Sequence, residues 1–154
     1  MPGLDAILSL ISAVNTVEEK LNGGEYIRNA VMENEKHIVE MNVNQLYDWG
    51  QNSLGISIST YRPYTPYTIQ IKQEKNQPVD RVTLRDTGAF HESFIVVADM
   101  TEFYITATDS KTAGLVEKYG NRIFGLVEGN LVELAKIYIA PNVEGQIHKE
   151  LFGV

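Results

Sequence analysis

Leu4, Ile7, Leu8, Ile11, Val14, Val17 and Leu21 recur at helical spacing, and the pair Gly23-Gly24 follows as a stop signal. This pattern predicts an amphipathic helix over about residues 3–22. A second apolar series, Tyr26, Ile27, Ala30 and Val31, keeps the same period among charged residues, which predicts another helix ending near His37. Residues 1–41 hold seven acidic and three basic side chains, a balance of −4. The helix pair is therefore expected to bury its apolar stripe in the core and to turn an acidic face to water.

The pattern changes at Asn42, where Asn, Gln, Gly, Ser, Thr, Tyr and Pro replace the helix formers. A short helical turn is expected around Gln45–Trp49. Gly55 to Tyr61 then alternates apolar and polar residues as a half-buried strand does, Pro63 and Pro66 interrupt, and Thr68 to Lys72 alternates again briefly. Residues 42–81 thus read as an extended arm or long loop with weak strand content, of the kind that is functional or is ordered by a partner. Further on, Phe94–Ala98 and Glu102–Thr108 are β-rich runs joined by Asp99-Met100-Thr101, a predicted antiparallel hairpin. Asp109 or Ser110 is placed to cap a helix through Tyr119, with Gly120 as its stop. Leu131, Leu134, Ala135, Tyr138 and Ile139 mark another helix, Pro141 a restart, and Val143, Ile147 and Leu151 a last amphipathic stretch. The expected fold class is α+β, a single domain over 1–154. Its antiparallel hairpin packs with N- and C-terminal helices, in the order helix pair (1–41), arm (42–81), hairpin and C-terminal helices (82–154).

Charge and composition narrow the function classes. Thirteen Lys and Arg against 20 Asp and Glu leave a net charge of −7, which disfavours general binding to a nucleic-acid backbone. The chain has no cysteine, so it holds no disulfide, thiolate metal site or cysteine nucleophile. Ile7 to Val14 is interrupted by Ser9 and Ser12 and preceded by Asp5, unlike the basic start of a signal peptide, and no stretch approaches the length that spans a bilayer.

The sharpest short motif is Asp86-Thr87-Gly88, the catalytic tripeptide of aspartic proteases. Arg85 stands before it where those enzymes place an apolar residue, a helix pair precedes it, and no glycine-rich flap separates it from Gly125. The local reading is that Asp86 or Thr87 accepts backbone N–H groups at a tight turn, Gly88 permits the geometry, and Phe90 and Phe94 share a face four residues apart. Ser93 lacks the flanking glycines of a nucleophile elbow. His37, His91 and His148 are too far apart for a helical zinc pair, and no phosphate-binding Gly-Lys-Ser/Thr is present. No catalytic, cofactor or metal site is expected. The aromatic and basic segment around Tyr61, Arg62, Tyr64 and Tyr67 is the candidate subunit interface. Residues 42–81 total only +1, from four basic and three acidic side chains, which favours a protein partner over single-stranded bases.

Taken together, Val82-Thr83-Leu84-Arg85-Asp86-Thr87-Gly88-Ala89-Phe90-His91-Glu92-Ser93-Phe94 followed by a hairpin resembles the tail-completion, or head–tail connector, proteins of tailed bacteriophages. Leu84, Thr87, Gly88, Ser93 and Phe94 fill the places of that family's Leu-x-x-Thr-Gly-x-Leu-x-x-Ser-aliphatic signature, with Phe90 at the inner aliphatic place. Residues 108–112 and 118–126 look similar to related proteins of gut Bacteroidales phages, and the resemblance spans about residues 44–140. It implies a virion structural protein made in the host cytoplasm, without enzymatic activity. Six or twelve copies would form a neck ring against portal or adaptor and tail proteins, and DNA would pass through without specific binding. A small regulatory or interaction protein of a mobile element is the alternative.

Overall fold

The computed structural model describes residues 2–154 and shows an α+β protein, mostly helical, with one two-stranded antiparallel sheet. Its helices are α1 (Pro2–Asn22), α2 (Glu25–Glu33), α3 (Glu35–Trp49), α4 (Pro66–Glu74), the short α5 (Ala89–Glu92), α6 (Thr112–Tyr119), α7 (Glu128–Glu133) and α8 (Ala140–Phe152). The strands β1 (Phe94–Ala98) and β2 (Phe103–Ala107) lie where the β-rich runs predict them. The chain divides into two compact units. The smaller comprises the N-terminal part to Asn34, Ala98–Phe103 and Glu133–Val154, and the larger Glu35–Val97 and Tyr104–Val132.

In the smaller unit α1 and α2 pack with α8. Lys20 Nζ pairs with Glu150 Oε2 at 2.9 Å, and Gln146 Nε2 donates to the Tyr26 carbonyl at 2.8 Å. Gly24, between α1 and α2, adopts φ +80°, and a Cβ there would lie 2.0 Å from the Met100 carbonyl oxygen. Only a glycine lets the hairpin tip approach so closely. Asp99 shapes that tip by accepting the N–H groups of Thr101 (2.7 Å) and Glu102 (2.9 Å). Those bonds hold its carboxyl below the usual carboxylate range.

Between α7 and α8 the residues Leu134–Ile139 form a π-helix, in which the Ala140 N–H reaches back five residues to the Ala135 carbonyl. Pro141 accounts for it: the ring has no N–H to offer the carbonyl of Ile137, and a wider turn accommodates the proline without ending the helix.

The larger unit is organised on α3, whose Ile38, Asn42 and Leu46 are fully buried with Ile58, Val82 and Ile123. Asn42 Nδ2 donates to the Ile123 carbonyl at 3.0 Å while its Oδ1 accepts the Gly125 N–H at 2.9 Å. Gln45 repeats the arrangement, accepting the Val127 N–H at 2.9 Å and donating to the Gly125 carbonyl at 3.2 Å.

Residues 42–81 therefore differ from the expected extended arm. Their first eight residues belong to α3. Gly55–Tyr61 is a turn leading into a single 3₁₀ turn (Ile58–Thr60), and Thr68–Lys72 lies in α4, capped by the Thr65 side chain with Pro66 in the first turn. The polar residues that made the segment read as an arm are partners for loop backbone, and so are compatible with burial. The N-terminal region differs too. Asn34 bonds its side chain to the Ala30 carbonyl at 2.9 Å and separates α2 from α3. The apolar row of α1 is exposed instead of lying in the core.

Two substitutions test these contacts by urea denaturation. Gly24→Ala is expected to cost at least about 2 kcal/mol, because both the backbone conformation and the Met100 contact oppose a Cβ, whereas Gly114→Ala, with open space around it, should gain about 0.5 kcal/mol. Asn42→Leu leaves the Ile123 carbonyl and Gly125 N–H buried without partners and is expected to cost about 2–4 kcal/mol.

Candidate functional site

The two groups of residues singled out in the sequence meet in the larger unit. Tyr64 lines a cavity of about 150 Å³ together with Leu84, Asp86, Thr87, Gly88 and Phe90. Lys72, Arg85 and Lys111 add positive charge to its wall, and Leu115 and Tyr119 close its apolar side.

The wall is built by Tyr64 before α4, Lys72 within it and Gln77 after it, which hold the backbone of residues 83–86. The Tyr64 hydroxyl accepts the Thr83 N–H at 2.9 Å. Lys72, only 7% exposed, donates to the Arg85 carbonyl at 2.7 Å and to Gln77 Oε1 at 3.1 Å, with its ammonium 5.0 Å from the centre of the Tyr64 ring. Gln77 Nε2 donates to the Asp86 carbonyl at 2.7 Å. These contacts fix Leu84 at φ +54°, a left-handed conformation that costs a non-glycine residue roughly 1–2 kcal/mol. The side chain of Leu84 is buried as a result of that turn.

Asp86 pairs with Lys75, whose hydrogen bond holds the carboxyl below its ordinary range. Thr87 Oγ1 accepts the Ala89 N–H at 3.3 Å, and Gly88 takes φ +100° ahead of α5, the tight turn expected from the motif. Phe90 and Phe94 stack edge-on with ring centres 5.0 Å apart, and Phe124 joins them 5.2 Å from Phe94. The rings anchor α5 and β1 to the loop that Asn42 holds.

The candidate interface residues separate into two kinds. Tyr64 is committed within its own unit, and Tyr61 donates to the Tyr119 carbonyl at 3.1 Å while keeping an exposed ring edge. Arg62 and Tyr67, the latter 73% exposed, face solvent. The sequence marks Lys72 only as part of the basic, aromatic stretch and gives Lys111 no site role, yet their cations converge on the cavity from α4 and from the start of α6. Among the described residues no three His, Asp or Glu side chains are grouped to hold a metal ion, and no helix is long and apolar enough to cross a membrane.

A second surface lies on the smaller unit. Helix α1 packs on α2 and α8 of its own unit, and along it Ala13, Thr16, Val17 and Lys20 are half-buried. Its larger apolar side chains point elsewhere: Leu4, Ile7, Leu8, Ile11 and Val14 are 52%, 57%, 55%, 50% and 48% exposed. Leu10 and Leu21 are exposed to a similar degree. A contiguous apolar band of this kind marks an interaction surface.

Comparison with protein-family models, with curated proteins and with solved structures gives no match to this chain.

His91 supplies a pH test of the wall. It is 6% exposed, and burial lowers its pKa to about 4. The unfolded chain therefore binds a proton between about pH 6.5 and 4 that the folded chain refuses. Stability is expected to be full above pH 6.5 and to fall by about 3 kcal/mol as pH drops to 4, before the lowered carboxylates Asp86 and Asp99 titrate. Urea titrations across this window should show the loss in the native protein and a flatter profile in His91→Leu.

Proposed function

We propose that the chain is a virion structural protein of a tailed phage, a subunit of the neck ring that joins the portal to the tail. The observation that carries this reading is the α1 surface, a helix side rich in Leu and Ile that is left half in water. Burying the remaining half of seven such side chains is worth about 5–10 kcal/mol per copy before the costs of association. A protein built in this way is completed by other protein.

The signature from Leu84 to Phe94 supports the same reading. Its residues form a braced wall: Leu84 sits in the loop held by Tyr64, Lys72 and Gln77, Gly88 opens α5, and Phe90 and Phe94 pack on Phe124. The outward side chains Arg62 and Tyr67 add a smaller contact surface of the composition favoured at interfaces. The net charge of −7 suits a ring through which DNA slides without being held.

Mass spectrometry of purified virions from a host carrying the gene is expected to find the protein at a few to a dozen copies per particle. Deletion of the gene should yield filled heads and separate tails by electron microscopy. Absence from virions, or normal particles after deletion, overturns the reading.

A further inference from the structure

The apolar positions of α1 follow a heptad. With Leu4 at position a, the core positions a and d are Leu4, Ile7, Ile11, Val14, Glu18 and Leu21, so five of the six are apolar. Leu8 and Leu10 fall on the flanking e and g positions, and the apolar band covers nearly half the circumference of the helix. The half-buried residues of α1, Ala13, Thr16, Val17 and Lys20, lie to one side of this band. The seam Leu4, Ile7, Ile11 and Val14 is left whole.

We propose that α1 is the self-association element of the protein, and that its partners are the α1 helices of further copies of this chain, more than two in one bundle. The proposal names the partner of the surface on which the assembly reading rests. Three features favour a copy of the same chain. The seam is self-complementary, since Leu, Ile and Val at a and d serve equally as knobs and as holes. It carries one charge, Glu18, and so offers no charge pattern by which to select a foreign helix. The exposed side chains present on the order of 600 Å² of apolar surface, most of the roughly 800 Å² that each partner contributes to a stable interface.

The breadth of the band sets the number of helices. A two-stranded coil buries only a and d, whereas apolar e and g positions require a neighbour on each side. Leu8 and Leu10 flank the seam on opposite sides, so each helix meets two others and the arrangement closes as a bundle around an axis. Glu18 then sits in the seam, where a lone polar residue fixes register at a cost in stability.

The test is light scattering on size-exclusion fractions of the full chain at about 100 µM, a concentration that populates even weak complexes, with circular dichroism to confirm that each variant is folded. The native protein is expected to run as a trimer or larger. Ile11→Asp, at an exposed position whose loss does not touch the core, should raise the dissociation constant at least about 100-fold by placing a charge in the seam. Glu18→Leu should tighten the assembly about tenfold, and Ser9→Asp, on the opposite side of α1, should leave it unchanged. A monomer or plain dimer in the native protein, or an assembly that Ile11→Asp leaves intact, overturns the proposal. Virion content separates the two readings. A monomeric protein found in virions sinks the α1 bundle alone, and an α1-dependent oligomer absent from virions sinks the neck role alone.

Discussion

Two side-chain amides on one face of α3 hold the larger unit together. Asn42 and Gln45, three residues apart, each offer a donor and an acceptor to the backbone of residues 123–127, the irregular stretch between the 3₁₀ turn Asn121–Ile123 and α7. With that stretch fixed, the Ser53 N–H bonds to the Arg122 carbonyl at 2.8 Å, tying in the turn after α3. Phe124 is delivered to Phe90 and Phe94, and through them the signature loop is anchored. A buried loop needs partners for every amide, and here a helix supplies them.

The same device recurs around α4, where Lys72 in the helix and Tyr64 and Gln77 on either side of it satisfy the loop at residues 83–86. The larger unit therefore depends on polar side chains reaching from helices to irregular backbone more than on extended sheet pairing. Such contacts are directional, so they hold the cavity wall in one conformation, including the strained Leu84. The smaller unit is built differently. Its buried apolar residues are few, chiefly Tyr26, Ala30, Val31 and Leu134, while the large apolar side chains of its longest helix stay about half exposed. Ligation by other subunits would stabilise it by mass action.

How much of this was readable in the sequence follows from where each signal originates. The hairpin, the extent of α1, the Gly120 end of α6 and the Phe90–Phe94 pair are local, since β-rich runs, glycines and i,i+4 spacing report on near neighbours. Helix α6, by contrast, begins at Thr112 without the expected side-chain cap from Asp109 or Ser110. Residues 42–81 resisted because the partners of Asn42 and Gln45 lie some eighty residues away, and a polar side chain looks the same in sequence whether it meets water or a buried carbonyl. Leu84 gave no sign of a left-handed backbone because its loop is held by Tyr64, Lys72 and Gln77, partners distant in sequence. An amphipathic stripe states that a helix has an apolar side. Whether the unit itself or another copy covers that side depends on what else the chain folds against it, and in α1 the small residues Ala13 and Thr16 are among those half-buried.

The π turn at Leu134–Ile139 also sets the phase of everything beyond it. Accommodating one additional residue in a helix rotates the following side chains by about 100° relative to those before it. Leu134, at the start of the turn, is buried, and Gln146 and Glu150, beyond it, meet Tyr26 and Lys20. A straight α-helix through the same residues would carry these side chains to different azimuths, so the register between α8 and the first two helices is written into an irregular turn. Related chains that gained or lost a single residue there would need to re-choose the whole polar contact set of α8, which makes this short stretch a place where length is more constrained than composition.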